Sequence, residues 1–255
     1  MSALRLSNDT AVRIGFLLAV AAAWLLAARN MPPYLVPSPG SVLQDMWSLV
    51  AQTGLRRHIW ATIFHIFSAI GISVALAFAL VLLARGVPVL AGLIEDRLTP
   101  LVNAFPAIGW TLLGILWFGL DASTVIFAIT AMLLPFNVIN LSQGLRATNE
   151  DLLEMAQSFS TNPFRRFALV GFPLLAPFLF ATLRLNFGVS WKVALTAELL
   201  GGNSGLGFLM NLAMQDQNTA RILAISFLIV LFVYIADVKM LAKVQNRFDS
   251  RFRTA

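Results

Sequence analysis

Long apolar runs, each near the length of a bilayer crossing, alternate with short polar connections along most of this chain. They cover about 11–28, 59–84, 101–120, 123–141, 170–200 and 222–241. A spanning helix needs about 20 mainly apolar residues, so the pattern predicts an all-α integral membrane protein of about six transmembrane helices. Most runs are apolar all round, which hides the 3.6-residue period, as expected for helices surrounded by lipid or protein. Pro135 and Pro177 fall inside two runs and predict kinks that neighbouring helices must satisfy. The first run, with Arg5 and Arg13 beside it and an A-x-A-like stretch near Ala27, has the outline of a signal peptide. It is long for one, and no soluble domain follows, so it reads as a retained span. Residues 41–57 predict an amphipathic helix outside the membrane, of open role.

Composition agrees. Hydrophobic residues make up 58% of the chain and charged residues 12%, against roughly 25% charged in soluble domains. Cysteine is absent, which excludes disulfides and thiolate metal sites. His58 and His65 have no carboxylate near them in sequence, and read as one interfacial and one packed histidine; no metal site is expected. With the N-terminus inside and six spans, twelve of the 18 basic residues fall on the inner side. Arg29, Arg56, Arg57 and Arg221 fall outside, and Arg184 and Lys192 lie within the fifth run. The positive-inside rule therefore places both termini in the cytoplasm. The net charge of +6 is a topology signal, not a nucleic-acid footprint. Gly201, Gly202, Gly205 and Gly207 follow no strand and precede no Lys-Ser/Thr, so they are not a phosphate loop. No nucleophile–His–acid set is visible. An enzyme is not expected, nor a cofactor.

The connection between the fourth and fifth runs carries the most specific signal. Residues 154–173 read EMAQSFSTNPFRRFALVGFP. Their spacing is similar to the E-A-A-x3-G-x9-I-x-L-P loop of permease subunits in bacterial ABC importers. Glu154, Met155 and Ala156 stand in the E-A-A places, Ser160 in that of Gly, Val170 in that of Ile, Phe172 in that of Leu, and Pro173 in that of Pro. Asn149 can cap a short helix whose first turns carry Glu150, Asp151 and Glu154. Its apolar positions include Leu152, Leu153, Met155, Ala156 and Phe159, and S-T-N-P ends it. LVPSPGSVLQD at 35–45, PAIGWTLLGILWFG at 106–119 and LRLNFGVSWKVALTAELLGGNSGLG at 183–207 resemble stretches of one branch of this family, which imports taurine, aliphatic sulfonates, nitrate and related solutes.

The resemblance implies a type I importer permease in the bacterial inner membrane, paired with a second copy of itself. Two ABC ATPase subunits would dock on Glu154, Met155, Ala156, Phe159, Ser160 and Pro173, and a periplasmic or lipid-anchored binding protein would deliver a small anionic solute. It divides the chain into a first span at 1–30, an external loop at 31–58, a core at 59–241 with its coupling loop at about 146–169, and a basic tail at 242–255. Segment five would line the pathway. Arg184, Lys192 and Glu198 lie in it, where charge is costly and usually functional. Lys192 either attracts the solute or pairs with Glu198; Trp191 and Trp110 are further lining candidates. A vitamin precursor or aromatic acid is the alternative solute. An ion-coupled secondary transporter is the rival mechanism, though no internal repeat supports it. A structural or assembly membrane protein is the other rival, and it would not need the spaced loop.

Overall fold

A computed structural model describes residues 2–146, 162, 165 and 171–236. Every regular element among them is helical: α1 (Ser2–Asn30), α2 (Pro39–Ala51), α3 (Thr53–Gly86), α4 (Pro88–Ala91), a π-helical stretch Gly92–Leu98, α5 (Thr99–Ala104), α6 (Ala107–Phe118), α7 (Ala122–Arg146), α8 (Phe172–Gly201), α9 (Leu206–Gln215) and α10 (Thr219–Ile235). The all-α reading holds.

The chain forms two compact units. The first comprises residues 1–57 and 210–229, the second 58–209 and 230–255. In the first, α2 starts at Ser38, whose hydroxyl accepts the Ser41 N–H at 3.2 Å, with Pro39 in the first turn; both are favoured at a helix start. α2 stops at extended Gln52, so residues 53–57 of the expected amphipathic helix belong instead to α3.

Residues 12–30, α3 and α7 are long and apolar enough to cross a membrane. The run at 101–120 is not one straight segment. Its two helices, 89–104 and 107–118, meet at 86°. Phe105 has φ −77° and ψ 127°, because the ring of Pro106 disfavours the helical region for the residue before it.

In the second unit, Gly144 of α7 lies against Phe178 of α8, and Gly201 of α8 lies against Thr124 of α7. The two helices therefore run antiparallel along most of their length. The core between α3, the 92–98 stretch and α7 includes Ala77, Val81, Ile94, Val138 and Leu141. Between α6 and α7 the chain turns through Gly119 at φ +73°. Asp121 accepts from the backbone N–H and hydroxyl of Ser123 at 3.2 and 2.9 Å. The Ser123 N–H, above all, holds its carboxyl below the usual range.

Candidate functional site

On α3, His58, Thr62 and His65 are spaced by four and three residues and so share one helix face. Glu198 of α8 meets that face with no exposed surface. Its Oε1 lies 2.8 Å from His65 Nδ1. Its Oε2 accepts the Thr62 hydroxyl at 2.9 Å and the Gly207 N–H at 2.9 Å. The turn after α8 supplies the remaining links. The Leu206 N–H donates to Thr62 Oγ1 at 2.8 Å, and the Gly205 N–H donates to His58 Nδ1 at 3.1 Å.

The turn can approach this closely because it lacks side chains where they would collide. Gly205 has φ +106°, and a Cβ there would sit 2.2 Å from the Glu198 carboxyl carbon. A Cβ on Gly207 would sit 2.4 Å from the Leu195 carbonyl oxygen. The glycines thus wrap a buried carboxylate. A carboxylate in a low-dielectric interior persists only when its lone pairs are filled, and here two side chains and a backbone N–H surround it. The arrangement ties α3, α8 and the start of α9 into one piece. Among the described residues no three His, Cys, Asp or Glu side chains converge as metal ligands would.

The opposite side of α8 differs. Ala181, Leu185, Gly188, Lys192, Thr196 and Leu200 are exposed, and their three- and four-residue spacing makes one continuous stripe. Lys192 stands in it with no acidic partner among the described residues. The Lys192–Glu198 pair, one of the two readings of Lys192, does not form. Six residues turn a helix by 600°, which leaves the two side chains about 120° apart, and Glu198 takes His65 instead. Trp191 is buried against Phe187 and Phe232. Trp110 is half-buried, its ring 4.7 Å from that of Phe105. Neither indole N–H has a partner among the described residues.

Both histidines prove packed, His58 as well as His65, which corrects the expectation of an interfacial one. Sequence reasoning missed Thr62 and His65 as partners of Glu198, and His58 as the acceptor of the Gly205 N–H. The available signal was the polar triplet on one face of an otherwise apolar α3, since ionisable residues inside a span default to a functional or paired role. Glu154, Met155, Ala156, Phe159 and Ser160 lie outside the described residues. Pro173 falls in the first turn of α8. The approach to that loop is fixed: Glu95 accepts from Ser142 at 2.8 Å and from Arg146, the last residue of α7.

Residues 20–253 match the family described as binding-protein-dependent transport system inner membrane component. SsuC of Escherichia coli K12, an aliphatic sulfonates transport permease protein, is 28% identical over 225 residues, 86% of this chain and 84% of SsuC. The taurine transport system permease protein TauC of the same organism is 25% identical over 251 residues, 93% of this chain and 88% of TauC. The riboflavin transport system permease protein RibX of Chloroflexus aurantiacus is 32% identical over 211 residues, 80% of this chain and 77% of RibX.

Proposed function

Because the chain belongs to the family of binding-protein-dependent transport system inner membrane components, and so is the permease component of an ABC-type import system, we propose that it carries a small anion, of the sulfonate or nitrate type, into the cytoplasm. It acts as one half of a homodimer of six-span subunits with both termini inside. ATP hydrolysis takes place on two separate ATPase subunits, and a separate binding protein delivers the solute. The observation that carries the anion reading is the exposed stripe of α8, where Lys192 stands without an acidic partner among the described residues. A cation on a membrane helix is stable only beside water, protein or an anion. Lys192 and Thr196 on this stripe, with Trp110 as a further wall, face the pathway. Glu198 and Trp191 support α8 from behind.

The loop around Glu154, Met155, Ala156, Phe159, Ser160 and Pro173 docks on the ATPase. The Glu95–Arg146 contact supports this role by fixing the loop's entry to the rest of the core. In proteoliposomes containing the permease, its ATPase and its binding protein, Glu154→Ala is expected to lose solute-stimulated ATP hydrolysis while the permease still inserts. Undiminished stimulation would count against the docking role.

Lys192→Gln is expected to lower kcat/KM for taurine or alkylsulfonate uptake by roughly tenfold, with little effect on thermal stability, since the side chain is exposed. Unchanged uptake would remove Lys192 from the pathway. The kinship to RibX supports a second reading, a heterocyclic vitamin. A thermal-shift screen of the partner binding protein against sulfonates, nitrate, aromatic acids and vitamins separates the two.

A further inference from the structure

The side chains of α2 fall into three sectors at 100° per residue. Val42 and Leu49 point the same way and are buried. Gln44 and Ser48 form a polar flank. Between these, Leu43, Trp47 and Val50 lie within about 60° of one another and are 65%, 73% and 48% exposed. Nothing among the described residues covers them.

We propose that this third sector is a lipid-binding surface, embedded in the outer leaflet where headgroups meet acyl chains. Three observations on the first unit choose lipid over a protein partner. The first is depth. The Trp24 indole N–H donates to the Pro37 carbonyl at 3.0 Å, so the start of α2 is folded back beside α1. Trp24 lies six residues before the end of α1, about 9 Å down its axis, which places α2 at the level of the bilayer surface and not above it. The second is continuity. The apolar residues of α1, among them Phe16, Leu18 and Leu26, are exposed, and a spanning helix must meet lipid or protein there. The Trp24–Pro37 bond brings the Leu43–Trp47–Val50 sector, apolar and exposed like α1, to the end of that helix. The third is chemistry. The sector holds no charge and centres on a tryptophan, the residue that collects at membrane interfaces, while its polar flank is free to face water, as in helices that lie in the interface plane. Asp45 accepts from Arg221 at 3.3 Å, and Thr219 donates to the Tyr34 carbonyl, which fastens α2 and its approach to the first turns of α10 and sets which flank faces outward.

The chain has no cysteine, so single cysteines can be labelled without background. The full-length permease, with nitroxides at 43, 47 or 50 and, for comparison, at 44 or 48, would be reconstituted in phosphatidylethanolamine–phosphatidylglycerol liposomes. The expected result is a several-fold higher ratio of oxygen to nickel-chelate collision at 43, 47 and 50 than at 44 and 48. Nickel-chelate access at 43, 47 and 50 would show a water-facing stripe and overturn the proposal. Protection from both reagents would show a protein partner and overturn it as well. If Trp47→Cys fails to fold, Leu43→Cys and Val50→Cys carry the same test, and neither depends on which solute is transported.

Discussion

Glu198→Ala is expected to destabilise the permease strongly, measured as a thermal transition in detergent far below that of the wild type and a diminished monodisperse peak. The substitution removes three filled acceptor positions together. The Gly207 N–H and His65 Nδ1 lose their partner, and the Thr62 hydroxyl, still accepting from the Leu206 N–H, has nowhere to donate. Each buried polar group left unsatisfied costs about 1–3 kcal/mol, so the loss is on the order of 5 kcal/mol before any cavity term. Glu198→Gln is expected to fare far better. Its amide oxygen can accept from Thr62 and Gly207 while its NH2 donates to His65 Nδ1, once the imidazole proton, on Nδ1 where the carboxylate accepts it, moves to Nε2. A Glu198→Ala protein melting at the wild-type temperature would remove the network from any account of stability.

The long helices were legible in the sequence because their apolar runs are long and bounded by polar connections. Runs at 59–84 and 123–141 fall inside α3 and α7, and 170–200 nearly coincides with α8. The break at Phe105 follows from Pro106, a signal that the length of the surrounding apolar run masks. The site was harder to read for a different reason. Sequence proximity set Lys192 and Glu198 together, yet helical rotation separates them, and the true partners of Glu198 come from α3, 133 and 136 residues away. A single chain's pattern shows that Glu198 needs a partner, and His65 that it needs one too, without showing that they meet. The glycine-rich turn excludes a phosphate loop by its sequence context but does not reveal its role, for the same reason: its spacing reflects the closeness of a carboxylate that only the fold brings there.

Gly205→Ala is expected to be nearly as damaging as Glu198→Ala, though it adds only a methyl group. Two costs coincide. The backbone is at φ +106°, a region where an L side chain costs of order 1–3 kcal/mol. The new Cβ would also lie 2.2–2.3 Å from the carboxyl carbon and both oxygens of Glu198. No rotamer of a carboxylate held by three donors escapes that overlap, so either the His65, Thr62 and Gly207 contacts break or the turn opens and the Gly205 N–H leaves His58. Gly201→Ala meets the Ile115 Cγ1 methylene and the Thr124 Cγ2 methyl at 2.9 Å in a helical backbone, where side chains can give, and a smaller loss is expected. At Gly188 nothing lies within 4 Å of a Cβ, so Gly188→Ala is expected to fold at least as well as wild type, since alanine favours the helix by up to about 1 kcal/mol. The decisive measurement is the double variant. Alanine at 198 empties the space that the new methyl needs, so Gly205→Ala should cost markedly less in the Glu198→Ala background than alone, leaving only the backbone strain. If the two losses simply add in a thermal-melt cycle, the sites are energetically independent, and the glycine is kept for its conformation, not for its closeness to the buried carboxylate.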